Sequence, residues 1–119
     1  MSTTSLNRLR VVDITSGVAG GYCTRYLGDY GADVIKVEPP RVGEETRRGG
    51  PFHLDDPHPE KSLLFLFLNC NKRGVTLDIR SPSGREVFLS LIKDADVLIE
   101  SYAPGYLAEL GLGYETLSD

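Results

Sequence analysis

The spacing of apolar positions changes several times along the chain, and each change marks an element. Val11, Val12 and Ile14 form a short, nearly continuous apolar run, which predicts a strand over Arg10–Ile14 buried on both faces. Thr15-Ser16-Gly17 follows as a turn, with Ser16 the expected N-cap of a helix. From Val18 to Tyr30 the residues Val18, Tyr22, Cys23, Tyr26, Leu27 and Tyr30 recur at helical steps. This predicts an amphipathic helix whose stripe, Cys23 included, faces the core. Gly31 is the stop signal, and Val34–Val37 reads as the second strand.

The pattern then lapses. Residues 39–61 hold five of the seven prolines, three glycines and charges of both signs, and are expected to form one long loop. Lys61–Leu68 is almost wholly apolar, so periodicity leaves helix and strand equally open there. Asn69–Gly74 has turn chemistry, and Val75–Ile79 the alternation of a short strand. Ser81-Pro82 gives two helix-start signals, and Val87, Phe88, Leu91 and Ile92 share one face as far as Lys93. Ala95–Ile99 is the next strand, Glu100–Gly105 a loop, Tyr106–Leu110 a short helix and Tyr114–Leu117 a further helical turn. The order β-α-β, loop, β-α-β-α predicts an α/β, Rossmann-like open and mainly parallel sheet with flanking helices. In such sheets ligands bind outside the carboxyl ends of the strands, so the loops after Ile14, Val37, Ile79 and Ile99 are the first candidates for a site.

Composition narrows the function. The 119 residues are 40% hydrophobic and 25% charged, which fits one globular unit. A formal charge of −4, with no Lys/Arg block, argues against a nucleic-acid binder. The longest apolar run, Leu63–Leu68, is far too short for a membrane span, and the polar start MSTTSLNRLR lacks a signal-peptide core. A cytoplasmic location is therefore expected, with residues 1–8 frayed. Cys23 and Cys70 have no metal or redox spacing, and Cys23 reads as a small buried hydrophobe.

The glycine-rich first turn lies where a helix N-terminus could receive phosphate. Its glycines, Gly17, Gly20 and Gly21, do not match the dinucleotide fingerprint, and no Walker lysine follows. Glu38 ends the second strand where nicotinamide enzymes hold a ribose, although Pro39-Pro40 makes it equally an ordinary strand exit. Cations gather as Arg41/Arg47/Arg48 and Lys72/Arg73/Arg80; Arg80, at a strand end, is the best placed for phosphate. His53 and His58 have no nucleophile or metal-ligand partner nearby and are expected at the surface.

Three strings, VVDITSGVAGGYCTRYLGDYGADVIKVEPP, NCNKRGVTLDIRSPSGRE and ADVLIESYAPGYLAELGLGYETL, occur in an order and spacing that resembles the family III CoA-transferases. That family comprises formyl-CoA and carnitine CoA-transferases and the α-methylacyl-CoA racemases. The resemblance runs from about Leu9 to the last residue, and implies the N-terminal portion of a larger CoA-binding domain. It implies acyl-CoA and a carboxylic acid as substrates, no prosthetic group, no nucleic-acid or membrane partner, and a homodimer of the full-length protein. It further implies an aspartate nucleophile that forms an aspartyl-CoA thioester and lies beyond these residues, so none of Asp13, Asp29, Asp33, Asp78, Asp94 or Asp96 is expected to react. Transferase and racemase are not separated by these blocks, and a non-catalytic CoA- or nucleotide-binding module is the alternative.

Carried over residue by residue, the resemblance places Gly17, Val18 and Ala19 along the nucleotide. Leu77, Asp78, Ile79 and Arg80 would cradle the adenosine, and Ser101, Tyr102 and Ala103 would form a further contact with Tyr102 as an aromatic wall. Two phosphate-binding arginines of the family fall on Pro39, with Arg41 close enough to substitute, and on Glu109, an anion. The resemblance also implies exposed apolar surface on these residues alone.

Overall fold

The structure, a computed structural model, describes residues 4–119. Four strands, β1 (Arg10–Asp13), β2 (Asp33–Glu38), β3 (Lys72–Thr76) and β4 (Val97–Ile99), form a wholly parallel sheet in the order β3-β2-β1-β4. Helices α1 (Val18–Asp29), α2 (Leu63–Leu68) and α3 (Pro82–Lys93) are followed by the short α4 (Tyr106–Glu109) and α5 (Tyr114–Leu117). The chain winds outward from β1 to β3 and then crosses back, through α3, to place β4 on the other side of β1. The topological switch therefore falls between β1 and β4, where open α/β sheets form their ligand crevice.

Strand geometry divides the core in two, because neighbouring residues point to opposite faces. Val12, Ile14 and Val37 pack with Ile79, Phe88 and Leu112 on the α3 side. Val11 and Val34 pack with Ala32, Leu9 and Leu27 on the α1 side. Phe88 is fully buried and anchors α3. That helix starts as its sequence predicts: the Ser81 Oγ accepts from the Gly84 amide at 3.0 Å, with Pro82 in the first helical position.

Several expectations are corrected. In α1 the buried residues are Gly20, Gly21 and Thr24, while Val18, Tyr22, Tyr26 and Tyr30 are exposed, and so is Cys23. The aromatic stripe is real, but it faces outward: the Tyr22 and Tyr26 rings lie 5.0 Å apart, and Tyr22 meets Phe67 of α2 at 5.7 Å. Small residues face inward because the helix approaches closely; a Cβ on Gly20 would stand 2.2 Å from the Thr15 Cβ. The N-cap of α1 is Gly17, at φ 91°, and not Ser16.

β3 begins three residues before the predicted Val75, inside the stretch with turn chemistry. Pairing with β2 and burial of the Lys72 ammonium outweigh the local turn preference there. Leu77–Arg80 thus lies beyond the strand, in the loop at its carboxyl end. Within Lys61–Leu68, Leu63–Leu68 forms α2, capped by the Ser62 Oγ, which accepts from the Phe65 amide. Residues 39–61 carry two 3-10 turns, Glu45–Arg48 and His53–Asp55. The segment 1–8 was expected to fray; its residues 1–3 lie outside the described residues, whereas Ser5–Arg8 form a turn, with the Leu6 amide bonded to the Tyr30 carbonyl at 3.0 Å.

Candidate functional site

A cleft of ≈ 270 Å³ opens at the carboxyl ends of the strands. Ile14 and Val37 form its floor, Leu77, Asp78, Ile79 and Arg80 one wall, and Tyr102 and Tyr106 another, with Pro39 and Val42 at the rim. Segments following β2, β3 and β4 therefore meet at one end of the sheet. The Tyr102 and Tyr106 rings lie 4.8 Å apart at 30°, a tilted aromatic surface. Burial, with Tyr106 adding to it, raises the Tyr102 hydroxyl above its ordinary pKa, so it is neutral at physiological pH. Arg80 stands at the mouth with its side chain 66% exposed. Its Nε donates to Asp78 Oδ1 at 3.1 Å, and this hydrogen bond holds the Asp78 carboxyl below the usual range and raises the guanidinium.

Beside the cleft, each residue of the β1–α1 turn is gripped by a side chain from another position. The Thr15 amide and Oγ1 donate to Asp13 Oδ1 at 2.9 and 2.6 Å. The Ser16 amide donates to the Ser101 Oγ at 2.8 Å, and that hydroxyl donates back to the Ser16 carbonyl at 3.2 Å. The Gly17 amide donates to Glu44 Oε1 at 2.6 Å. The turn that the sequence offers to a phosphate therefore already holds a carboxylate.

Under the turn lies a cluster of buried charge. Asp13 is fully buried and pairs with Lys72 at 3.2 Å and Lys36 at 3.7 Å, while Thr24 Oγ1 donates to it at 2.6 Å. Lys36 Nζ also donates to the Thr15 carbonyl at 3.2 Å. Burial pushes the Asp13 carboxyl up, but the charge of Lys36 and the hydroxyls of Thr15 and Thr24 outweigh it, leaving the group below its usual range. Burial lowers the Lys72 ammonium, with Asp13 opposing.

Of the residues the sequence proposed, the structure brings Leu77, Asp78, Ile79, Arg80 and Tyr102 to one cleft and links Ser101 to the turn that contains Gly17. Val18 and Ala19 are exposed on the first turn of α1, outside the lining. Arg41 is exposed in a left-handed backbone conformation and does not line the cleft, although its neighbours at the rim do. Ala103 lines a different groove, ≈ 770 Å³, beside β4. Most of the other candidate cations are engaged: Arg47 binds Glu38 at 2.7 and 2.8 Å and stacks on Phe65, Lys72 is buried, and Arg73 pairs with Asp33. Glu38 thus serves Arg47 and the Glu44 amide, not a ribose. His53 and His58 are exposed, and so is Glu109.

Sequence reasoning missed Glu44 and the Asp13–Lys36–Lys72 cluster. The second had a signal, a charged residue inside each of two buried strand runs (VVDI and VIKV). Glu44 had none, because its partner Gly17 is 27 residues away. Among the described residues, no group of His, Cys, Asp or Glu could hold a metal ion, and no helix is long and apolar enough to cross a membrane.

The family model described as CoA-transferase family III matches residues 6–119. A formyl-CoA:oxalate CoA-transferase of Rhodopseudomonas palustris (strain BisB18) is 45% identical over 115 residues, which cover 97% of this chain and 26% of that protein. The succinyl-CoA:(R)-benzylsuccinate CoA-transferase subunit BbsE of Thauera aromatica is 47% identical over 112 residues, covering 94% of this chain and 27% of the relative. Among solved structures, a CAIB/BAIF family protein from Brucella suis superposes with a TM-score of 0.88 at 41% identity, over 98% of this chain and 31% of that one. The chain thus spans about a quarter of the length of the curated relatives it matches.

Proposed function

Because the chain belongs to CoA-transferase family III, we propose that its strand-end cleft receives the nucleotide end of coenzyme A, as the CoA-binding part of an acyl-CoA:carboxylate CoA-transferase. The observation that carries this reading is the meeting of Leu77–Arg80 with Tyr102 at the topological switch. It gives an apolar slot with an aromatic wall and one exposed guanidinium at its mouth. A base fits against Tyr102 and Tyr106, and Arg80 offers a fork to phosphate. Gly17, Val18, Ala19, Arg41 and Ala103 do not line this slot.

The transfer runs in two covalent stages on an aspartate outside these residues. Its carboxylate attacks the acyl-CoA thioester, expelling CoA thiolate and leaving a mixed anhydride. The thiolate then attacks the aspartyl carbonyl, giving an aspartyl-CoA thioester and freeing the first carboxylate. An acceptor carboxylate reverses the sequence. Among the nine aspartates present, five that are already engaged support placing the nucleophile elsewhere: Asp13 is saturated with donors, Asp29 and Asp33 pair with Arg25 and Arg73, Asp78 pairs with Arg80, and Asp96 accepts from the Arg10 amide. The enzyme acts as a cytoplasmic homodimer in this reading.

Calorimetry with CoA, 3′-dephospho-CoA and NAD tests it. CoA is expected to bind and NAD not; preference for NAD, or no binding of CoA, would overturn the assignment.

A further inference from the structure

The anion position at the N-terminus of α1 is filled from within. Gly17 caps this helix of 12 residues, and its amide points at Glu44 Oε1, 2.6 Å away. The same oxygen accepts from the Thr46 amide at 3.2 Å and the Ser16 hydroxyl at 3.3 Å, and Glu44 Oε2 accepts from the Thr46 hydroxyl. Glu44 is 4% exposed and Thr46 5%, so the carboxylate is buried with a full set of donors. A second carboxylate stands close by, since Glu45 Oε1 would lie 2.8 Å from a Cβ at Gly17.

The same residue ties the β1–α1 turn to the end of β2. Its amide donates to Glu38 Oε2 at 2.9 Å, at the end of β2, while its side chain holds the turn after β1. Between these two ends run Pro39 and Val42, the rim of the cleft. On the far side of Glu44, Thr46 is held by the buried Ser62, whose Oγ donates to the Thr46 carbonyl at 2.7 Å.

We propose that Glu44 is a positioning residue for the cleft: an internal carboxylate that takes the anion place of the β1–α1 turn, latches residues 39–61 to it, and directs the ligand's phosphates to the Arg80 side. The ligand part rests on the CoA reading above; the latch does not. The physical argument is one of competition. A phosphate arriving at Gly17 must displace a buried, fully hydrogen-bonded carboxylate and approach Glu45. A phosphate arriving at the mouth meets a guanidinium that is 66% exposed and held by a single carboxylate. The positive end of the helix stabilises Glu44 where it is.

The test is chemical rescue of Glu44→Ala, which leaves a carboxylate-sized hole above the Gly17 amide. In the latch, this variant melts lower, the Gly17 amide resonance moves, and residues 39–61 exchange amide protons faster. Adding acetate, with chloride at equal ionic strength as control, restores all three and leaves the wild type unchanged. Glu44→Gln, which keeps an acceptor for Gly17, holds the resonance near its wild-type position and remains readable should the alanine variant not fold. A wild-type Gly17 resonance in Glu44→Ala, or one in Glu44→Gln displaced as far as in Glu44→Ala, overturns the latch whether or not CoA binds.

Titration with CoA then addresses the phosphates. In the wild type the Gly17 resonance stays while that of Arg80 moves, and Glu44→Ala binds CoA about tenfold or more weaker, the loss of one charge-assisted hydrogen bond that orders the rim of the cleft. Tighter CoA binding by Glu44→Ala, or a Gly17 resonance that follows CoA or inorganic pyrophosphate in the wild type, would show Glu44 to be a displaceable stand-in and overturn the inference. Absence of CoA binding to every form would remove the CoA reading and the phosphate route with it, while the acetate result still decides the latch.

Discussion

Replacing Asp13 with asparagine removes one charge from the most buried ionic cluster in the fold, and its cost can be worked from the contacts. The carboxylate is fully buried between Lys72 at 3.2 Å and Lys36 at 3.7 Å, whose side chains are 2% and 3% exposed. Asparagine can keep an oxygen for the two Thr15 donors, but its NH₂ then faces two ammonium groups and the Thr24 hydroxyl. Two buried cations are left without an anion. Breaking a buried pair from one side typically costs about 3–5 kcal/mol. Lys72 can escape part of that by losing its proton, which burial already favours, so about 3 kcal/mol is expected. Against a total stability of about 5–15 kcal/mol, this is a large share.

Urea unfolding at pH 7 should show it as a midpoint lowered by about 1–3 M, given the usual slopes for small proteins. Two features separate an electrostatic cause from a packing defect. The deficit should shrink as pH rises toward the lysine range, and Asp13→Asn combined with Lys72→Met should cost less than the sum of the single changes. A deficit under about 1 kcal/mol, or one that is independent of pH and additive with Lys72→Met, would refute the reasoning.

Other outcomes are expected from the same structure. Gly20→Ala, whose Cβ would stand 2.2 Å from the Thr15 Cβ, should cost about 1–3 kcal/mol or more, whereas Gly74→Ala in β3, with nothing within 4 Å, should be tolerated; thermal melts compare them. Acid unfolding should begin only below the ordinary carboxylate range. Burial pushes the Asp13 and Glu38 carboxyls up, but Lys36, Thr15 and Thr24 around Asp13, and Arg47 and the Glu44 amide around Glu38, outweigh it, so both sit below their unfolded values. The stability each gives is then present above the unfolded value and lost as pH falls through the folded one, and Asp13→Asn should flatten that limb in a pH series of urea midpoints. Arg80→Met should weaken CoA about tenfold by calorimetry and leave pantetheine, which lacks the nucleotide, unaffected; equal losses for both would remove Arg80 from the phosphate site.

The parallel sheet and its helical crossovers were legible because each strand except β3 carries its apolar run and each long helix its stop or start signal. What failed shares one cause. Periodicity reports which residues lie on one face of a helix, not which face turns inward. In α1 the inward face is set by Gly20, Gly21 and Thr24, because only small side chains allow the approach to Thr15 and Leu68. The tyrosines were thus grouped correctly and oriented wrongly. β3 failed for a related reason: Lys72 reads as a turn residue until Asp13, on another strand, gives its ammonium a partner. At the site, the rule that strand ends bind ligands singled out only the loops after Ile79 and Ile99, and the individual residues Leu77–Arg80 and Tyr102 came from the family resemblance. The grip of Glu44 on Gly17 is a long-range pairing that no local pattern encodes.

The misses at β3 and at the β1–α1 turn fall where polar contacts, not apolar ones, hold the architecture. Apolar packing is non-directional and lets a loop settle in several related positions. Hydrogen bonds from buried groups fix both position and orientation. Thr15, Ser16 and Gly17 are each held by a separate partner: Asp13 with Lys36, Ser101, and Glu44. Those partners come from β1 and β2, from the loop after β4, and from the segment after β2. Shifting the turn as a unit would break all of them together, leaving buried carboxylates and an ammonium without their donors and acceptors. The cleft beside it is therefore set by the fold itself, and in the proposed CoA site selectivity at its mouth would fall to the side chains that remain free to move, Arg80 first among them.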